Sequence, residues 1–262
     1  MAQVGDKGVC RLSIVPVRGS SVDTAEMVTQ LLFGDHYSII AIDASGKWLK
    51  ISIHYDQYEG WIDTKQHHAI SDDYFDQINS SDFKISLDVS ATILYKKKNI
   101  NILLGSILPI SNSELFKVEE QLAFIGEAKS LGQRREFDYM IGVIKKYNFA
   151  PYLWGGKTPY GIDCSGFVQM VFKICGYRVK RDARDQALQG VKVNTLGESL
   201  PGDLVFFGEP ERITHVGIHM GQNKIVHASG RVRQDELTME GIVNADTGEI
   251  SHHFHSIRRL IK

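Results

Sequence analysis

The spacing of apolar residues changes near residue 130, and this change limits the folds open to the chain. Before it, apolar residues follow strand-like patterns, as in residues 48–53, where apolar and polar side chains alternate. After it, apolar residues between 137 and 144 recur three and four positions apart, which is the period of one helix face. The sequence therefore predicts a β-rich first part and a second part that begins with helices.

The first part contains two predicted β-barrels. Several strand-like runs fall within the first 70 residues, and they are bounded by turn residues such as those at 43–46. These runs are 9–15, 37–42, 48–53 and 60–62. A polar stretch at 71–81 is interpreted as a linker, and residues 82–128 as a second, divergent barrel with a spacer role. We therefore predict one domain at 1–70 and another at 71–128.

Residues 129–262 are predicted to form a domain of the α+β class. One apolar stripe runs from Cys164 to Cys175, and Gly176 follows as the residue that ends the helix. Strand patterns then dominate, at 203–207, 214–220, 224–229 and 257–261. Helices followed by antiparallel strands are typical of an α+β fold.

Composition excludes several classes of protein. The 262 residues carry 30 basic and 31 acidic side chains, and the chain is 43% hydrophobic. These values exclude a disordered or fibrous protein, and the balanced charge gives no electrostatic basis for a nucleic-acid or membrane partner. The longest apolar run, at 100–110, is shorter than the roughly 20 residues that span a bilayer.

The N-terminus and the cysteines bear on the compartment. The first residues show no basic region followed by an apolar one, so a cytoplasmic protein is expected if Met1 is the natural start. The three cysteines agree with a reducing compartment. Cys164 and Cys175 lie eleven residues apart on one predicted helix, roughly 16 Å, too far for a disulfide.

Cys164 is the first candidate for chemistry. It opens the predicted helix, where free backbone N–H groups and the helix dipole favour a thiolate with a lowered pKa. The same N–H groups suit a developing oxyanion. The alternative is a small core residue at the start of the apolar stripe, as Cys175 is at its end.

A histidine hairpin strengthens the case for catalysis. If residues 221–223 form the loop, His227 lies opposite Gly217, and His215 and His219 flank that position on the same face. Gly217 has no side chain, so the rings are expected to meet above it. A base with an orienting partner is what a nucleophile needs. A zinc site using Cys164 or a carboxylate, and a polar outer face, remain alternatives, and the pattern does not choose between His215 and His219.

Several segments of residues 130–262 resemble the NlpC-type cysteine peptidases. They occur in the family's order and spacing, at 152–156, 161–168, 181–186, 201–207, 214–218 and 225–229. The resemblance implies a papain-like fold with Cys164 as nucleophile, His215 as general base and acid, and His227 as the residue that orients His215. Tyr152 matches a family tyrosine at the oxyanion site. No metal or organic cofactor is implied.

The first part resembles the bacterial SH3-like domain fused to a subgroup of these peptidases. The resemblance lies in residues 25–34 and 58–61. It implies that Glu26 and Tyr58 bind the free amine of an N-terminal L-Ala, with Asp163 and Ser165 completing the contacts. An ammonium group needs carboxylates, which Glu26 and Asp163 would supply.

The expected protein is thus a multidomain chain, with two small SH3-like β-barrels followed by an α+β papain-like cysteine peptidase domain. The resemblance implies a monomeric endopeptidase of murein peptides. It would cut between γ-D-Glu and the diamino acid, either meso-diaminopimelate or L-Lys, during recycling. The alternatives are an exported peptidoglycan hydrolase whose barrels bind the wall, and a non-catalytic wall-peptide binding protein. The remaining histidines, 67–68 and 252–255, are expected at the surface.

Overall fold

The computed structural model describes residues 2–80, 83–108 and 122–261. The chain divides into two compact units, Met1–Gln133 and Arg134–Lys262. Among the helices of the described ranges, none has the length and apolar character needed to cross a membrane.

The N-terminal unit begins with a seven-stranded antiparallel sheet. Its strands lie in the order β3-β2-β6-β5-β4-β1-β7. They are β1 (Lys7–Val9), β2 (Ile14–Arg18), β3 (Met27–Leu32), β4 (His36–Ile42), β5 (Trp48–Ile53), β6 (Glu59–Asp63) and β7 (Ala69–Ile70). The predicted strand at 9–15 is therefore two strands, and β2 includes Pro16. Proline is tolerated there because β2 pairs with β6 only at Arg18, which leaves that edge open at Pro16.

Apolar and polar residues alternate along β5, and this pattern shows how the sheet forms its core. Leu49, Ile51 and Ile53 are at most 1% exposed, whereas the intervening Lys50 and Ser52 are half-buried. The period of two places one set of side chains on the core face, as the sequence predicts. Residues from the neighbouring strands pack against this set and complete the core.

The polar stretch predicted to be a linker is instead a helix, α1 (Asp72–Ser80). Its polar residues occupy the outer face, while Tyr74, Phe75 and Ile78 are buried. Tyr74 and Ile78 pack with Phe83 and Ile107 in a small core cluster. Three apolar residues at helical spacing thus outweigh a mainly polar composition.

Among the described residues of the N-terminal unit, six short strands follow α1 and form two three-stranded sheets. The sheets have the orders β10-β9-β12 and β11-β8-β13. The strands are β8 (Lys84–Ser86), β9 (Ser90–Tyr95), β10 (Lys98–Leu103), β11 (Ile107–Leu108), β12 (Leu122–Ile125) and β13 (Ala128–Ser130). Part of the predicted second barrel, residues 109–121, lies outside the described residues.

The C-terminal unit contains three helices and nine strands among the residues described. The helices are α2 (Phe137–Lys145), α3 (Cys164–Ile174) and α4 (Ala183–Gln186). The strands are β14 (Lys157–Thr158), β15 (Gly161–Ile162), β16 (Val191–Val193), β17 (Leu204–Glu209), β18 (Arg212–Gly221), β19 (Lys224–Ser229), β20 (Arg231–Leu237), β21 (Gly241–Val243) and β22 (Ile250–Arg259). The prediction missed five of these strands, namely β14, β15, β16, β20 and β21.

The large sheet of this unit closes on itself. Its order is β16-β22-β17-β18-β19-β20-β21, and β21 also pairs with β22, so the strands from β17 to β22 form a ring. All eleven residues of α3 are buried, and α3 packs against α2, β18 and β19. Gly176 follows the helix with a φ of 85°, the left-handed conformation predicted for it. The fold thereby holds the first residue of α3 against the histidine hairpin.

Candidate active site

Cys164 is the first residue of α3, and the residue before it caps the helix. Asp163 has an extended backbone, and its Oδ1 accepts the Gly166 N–H at 2.7 Å. Cys164 is 6% exposed, and its thiol receives a hydrogen bond from the backbone N–H of Val216 in β18. Since Val216 follows His215 directly, the thiol lies beside the strand segment that carries the predicted base.

The environment of the thiol differs from the expectation of a lowered pKa. Burial, followed by the negative charge of Asp163, raises the pKa of Cys164 to about 12. The N–H groups of Val216 and Ser165 and the cation of Arg181 oppose this rise but do not overcome it. The resting thiol therefore keeps its proton at neutral pH, and its reactivity depends on a base that removes the proton during attack.

Asp163 is held by a buried ion pair. Arg181 donates from both terminal nitrogens, at 3.0 Å to Oδ1 and 2.5 Å to Oδ2. The N–H of Gly155 reaches Oδ2 at 2.8 Å. Ser165 is buried in the same network, where its hydroxyl accepts from Arg181 at 2.9 Å. The protein itself thus engages both Asp163 and Ser165, and their contact with substrate stays a prediction.

Tyr152 lies close to the nucleophile. Its backbone bridges to Ile162, two residues before Cys164, and its N–H bonds to Gly230 at 2.9 Å. Burial, followed by the charges of Cys164 and Asp163, raises the pKa of Tyr152 to about 12. A phenol that keeps its proton is a hydrogen-bond donor, which is what an oxyanion site requires.

The histidine hairpin has the predicted register at its centre. Gly217 pairs with His227, as expected, and Nε2 of His215 lies 2.8 Å from Nδ1 of His227. The register shifts by one residue near the end, so the turn consists of Gln222 and Asn223, both with positive φ. The structure thus joins His215 to His227, and the role of His215 as the base stays a prediction.

His219 has a different environment. Its Nδ1 lies 3.1 Å from the Ser199 hydroxyl and 3.3 Å from the Leu200 carbonyl. The expectation about Gly217 is also wrong, because a Cβ there would meet Ile225 at 2.8 Å. The absent side chain therefore makes room for an apolar neighbour.

An acidic residue completes the chain of hydrogen bonds. Nε2 of His227 lies 2.9 Å from Oδ2 of Asp235, whose side chain is 1% exposed. Burial alone would raise the pKa of Asp235, but hydrogen bonds from His227, the Ala245 N–H and Arg233 together hold that pKa well below its usual value. Sequence reasoning missed Asp235. The signal was available in principle, since it lies diagonally across β19 and β20 from His227, which pairs with Arg233.

His252 joins the site instead of lying at the surface as predicted. Its ring stacks on His215 with centroids 4.0 Å apart. Burial and the neighbouring imidazole of His227 lower the pKa of His252 to about 4. Burial, His227 and His252 lower the pKa of His215 well below its usual value. His215 is thus a neutral imidazole that is able to accept a proton.

The three imidazoles are also the residues that could hold a metal ion. His215, His227 and His252 each offer a nitrogen, and these nitrogens lie within 4.8 Å of one another. Two features of their geometry do not fit a metal centre. His215 and His227 are hydrogen-bonded to each other at 2.8 Å, and the stacked ring of His252 runs nearly parallel to that of His215. Lone pairs in parallel rings do not converge on one ion. The hydrogen-bonded arrangement therefore fits general base chemistry better than the zinc alternative.

The remaining predicted residues lie in the N-terminal unit. Glu26 is exposed and directly precedes β3. Tyr58 is half-buried, packs against the core of the first sheet and directly precedes β6. Their role as ligands of the substrate amine stays a prediction.

The fold and the site together define a class of protein. A buried cysteine begins a helix that packs on a closed antiparallel sheet, and that sheet carries a hydrogen-bonded pair of histidines. This is the arrangement of a cysteine hydrolase of papain-like type.

Comparison with known proteins identifies the family. Residues 150–252 match the model described as the NlpC/P60 family, and residues 17–66 match the bacterial dipeptidyl-peptidase Sh3 domain. The γ-D-glutamyl-L-lysine dipeptidyl-peptidase of Bacillus subtilis is 30% identical over 226 residues, or 76% of this chain and 71% of that protein. The chain belongs to the NlpC/P60 family of cysteine peptidases.

Other relatives agree with this assignment. Dipeptidyl-peptidase 6 of Lysinibacillus sphaericus is 29% identical over 78% of this chain and 81% of that protein. The crystal structure of an NlpC/P60 family protein from Bacillus cereus has a TM-score of 0.81 and 19% identity, and it covers 98% of this chain and 100% of that one. The structural likeness bears on the fold, and the sequence relatives indicate a hydrolase of cell-wall peptides.

Proposed function

We propose that this protein hydrolyses the bond between γ-D-Glu and the diamino acid in murein peptides that carry a free N-terminal L-Ala. The observation that carries the chemistry is the hydrogen bond to the Cys164 thiol from the N–H of Val216, the residue directly after His215, whose imidazole burial keeps neutral. The substrate class is supported by the relatives named γ-D-glutamyl-L-lysine dipeptidyl-peptidase and by the match to their Sh3 domain.

The proposed reaction is acyl transfer in two steps. In the first, His215 takes the proton of the Cys164 thiol while sulfur bonds to the γ-carbonyl carbon of D-Glu. The backbone N–H of Cys164 and the phenol of Tyr152 stabilise the oxyanion. The C–N bond then breaks, and His215 returns the proton to the leaving amine.

The second step releases the acyl group. His215 removes a proton from water, and the resulting hydroxide attacks the thioester carbonyl. The C–S bond breaks, the sulfur regains its proton from His215, and L-Ala-γ-D-Glu leaves as the free acid. The sum of the two steps is hydrolysis, and the chain's own side chains carry every proton.

The proposed setting is the recycling of free murein peptides inside the cell. In an intact wall the L-Ala amine is acylated, so an enzyme that requires a free amine acts only on released peptides. Glu26 and Tyr58 are proposed as amine ligands, with Asp163 and Ser165. The carboxylate of Glu26 is suited to an ammonium group because it is exposed and has no ion-pair partner among the described residues.

The test is an endpoint assay by mass spectrometry with three substrates. These are L-Ala-γ-D-Glu-meso-diaminopimelate, its N-acetylated form and intact sacculi, with Cys164→Ala as the inactive control. Cleavage of the free peptide alone supports the proposal. Release of peptides from sacculi would instead favour an exported wall hydrolase, and absence of cleavage by the wild type would overturn the substrate assignment.

Variants of the N-terminal unit test the amine ligands. Glu26→Gln and Tyr58→Phe are expected to raise KM for the free peptide about tenfold, with kcat little changed. Each variant loses a contact to the substrate amine that is equally strong in the bound substrate and in the transition state. Glu59→Gln is the matched control, since Glu59 is an exposed glutamate of the same unit whose partner is Lys50 at 2.7 Å. Equal KM values in all three variants would contradict the assignment of Glu26 and Tyr58.

A further inference from the structure

The buried carboxylate of Asp235 has partners on two sides. On one side its Oδ2 lies 2.9 Å from Nε2 of His227. On the other side Arg233 holds it, with Nε 2.7 Å from Oδ2 and a terminal nitrogen 2.8 Å from Oδ1. The Ala245 N–H bonds to Oδ1 at 3.0 Å. The carboxylate therefore has a fixed orientation toward His227.

Arg233 is itself anchored by polar neighbours. One of its terminal nitrogens donates to Asp246 at 2.8 Å, and the other donates to Asn244 at 3.0 Å. The chain of contacts thus runs from the loop after β21, through Arg233 and Asp235, to His227 and His215. Each link is within hydrogen-bond distance, so a change at Asp235 reaches His215 through the ring of His227.

We propose that Asp235 is a positioning residue that selects the tautomer of His227 and, through it, the nitrogen of His215 that acts on Cys164. An ionised carboxylate only accepts hydrogen bonds, so Nε2 of His227 must carry a hydrogen. Nδ1 of a neutral His227 is then an acceptor, which requires a hydrogen on Nε2 of His215. The lone pair of His215 consequently resides on Nδ1, the nitrogen left free to receive the thiol proton.

The same chain stabilises the charge that forms during attack. When the thiol proton moves to Nδ1 of His215, that ring becomes a cation and keeps its hydrogen bond to His227. The negative charge of Asp235 lies one ring away, and no proton needs to move onto Asp235. The inference rests on the cysteine peptidase chemistry proposed above and adds a residue to it.

A purely structural role for Asp235 is the competing explanation. Asp235 also ties β20 to the loop at residue 245, so its loss would loosen that loop. Asp203 provides a matched control, because it is a buried aspartate of the same unit held by Arg259 at 2.8 and 2.7 Å and by the Leu200 N–H at 2.8 Å. It has no imidazole partner among the described hydrogen bonds.

The first experiment compares Asp235→Asn with Asp203→Asn in the full-length chain. Asp235→Asn is expected to lower kcat by between about 10²- and 10⁴-fold, the range of general acid–base catalysis, with KM within about threefold of the wild type. Asp235→Glu should recover part of the rate. An equal fall in kcat for both asparagine variants would overturn the inference.

The pH profile separates positioning from structure. Three ionisable groups face His227, namely the imidazoles of His215 and His252 and the carboxylate of Asp235. The guanidinium of Arg233 in turn faces that carboxylate. Removing the negative charge destabilises the protonated histidine pair, so the acidic limb of kcat/KM should move to lower pH in Asp235→Asn. An unchanged limb would contradict the inference, because a loosened loop alone would not move it.

A readout without substrate keeps this test independent of the proposed function. The rate at which iodoacetamide alkylates Cys164 at pH 7.5 should fall at least tenfold in Asp235→Asn and stay near the wild-type value in Asp203→Asn. If wild-type protein cleaves no murein peptide, the substrate proposal fails while this comparison still decides the role of Asp235. Equal alkylation in both variants would overturn that role.

Discussion

The reactivity of Cys164 depends on two opposing influences on one sulfur atom. Its position at the start of α3 and the N–H groups of Val216 and Ser165 favour a thiolate. Burial and the neighbouring carboxylate of Asp163 oppose it and raise the pKa of the thiol to about 12. If Cys164 is the nucleophile, this balance means that it needs a base, and His215, which burial keeps neutral, is the proposed one.

The pH dependence of alkylation is expected to reflect this raised pKa. A group whose pKa is about 12 is almost wholly protonated at neutrality, so its thiolate fraction increases about tenfold per pH unit across the accessible range. The rate of Cys164 alkylation by iodoacetamide, followed at peptide resolution, should therefore rise from pH 6 to pH 9 without a plateau. A small-molecule thiol is the control. A plateau below pH 7 would show a preformed thiolate and contradict this prediction.

The site residues differ in how far the sequence could predict them. Cys164, His215 and His227 lie within recognisable motifs, and the hairpin register places the two histidines on one face. Asp235 lies outside those motifs, diagonally across the β19–β20 hairpin from His227, and His252 reaches the site from β22, whose pairing with β21 closes the sheet. Alternation within one strand says which face a residue takes, but not which distant strand lies beside it.

At the scale of elements, the start of α3 depends on a bridge between distant segments. Asp163 caps the helix and also pairs with Arg181, whose side chain is 1% exposed. Gly166 allows a close approach, since a Cβ there would lie 2.4 Å from the Gly156 carbonyl oxygen. Cys164 is therefore held by the cap, by the ion pair and by the tight packing of two glycines.

Removing one partner of this buried pair should be strongly destabilising. Asp163→Ala removes the carboxylate that pairs with the buried Arg181 guanidinium, and a loss of about 3–5 kcal/mol in the free energy of unfolding is expected. Arg181→Ala should cost a similar amount, and the double variant less than the sum of the two. Urea unfolding of the full chain measures all three.

An exposed pair provides the control for that experiment. Lys50 and Glu59 lie 2.7 Å apart with side chains that are 35% and 51% exposed, so Glu59→Ala should change stability by less than about 1 kcal/mol. Additive losses for Asp163 and Arg181, or losses no larger than that of Glu59→Ala, would contradict the prediction.

The helix α1 shows why an element can escape sequence analysis. Residues 71–81 contain serine, aspartate and asparagine, which favour caps and turns, so a linker was expected. Tyr74 and Ile78 pack with Phe83 and Ile107, which follow in the chain, and the ring of Phe75 lies edge-on to those of His36 and His54. Tertiary contacts therefore stabilise a short helix whose own composition does not require one.

At the scale of the whole molecule, each unit has its own core and is expected to respond separately to conditions. In the N-terminal unit, His36 is buried against Asn79, with Nε2 2.7 Å from the amide oxygen. Burial lowers the pKa of His36 from its ordinary value of 6.5 to about 4. The folded chain thus binds a proton at His36 less readily than the unfolded chain.

This difference predicts that acid destabilises the N-terminal unit. Because the folded pKa is depressed, the contribution of neutral His36 is fully present above about pH 6.5 and is lost as the pH falls toward 4. The loss at pH 4 should be about 3 kcal/mol. His36→Gln, which keeps a donor for Asn79, should reduce the difference in unfolding free energy between pH 7 and pH 4, as measured by denaturant titration.

The control variant for this prediction is His253→Gln. His253 is exposed on β22 in the other unit, so its replacement should leave the pH dependence unchanged. Equal behaviour of the two variants would contradict the role of His36.

The sequence alone determined the class of each unit and singled out Cys164 as the candidate nucleophile. Local periodicity reports which residues face a core, and the motifs around Cys164 and His215 are continuous in the chain, so both can be read without a structure. Only the tertiary structure decided that Asp235 and His252 join the site, that Asp163 pairs with Arg181, and that burial governs the pKa of the thiol. Those properties depend on which segments meet across a closed sheet and how much water they exclude, and neither quantity is local in the sequence.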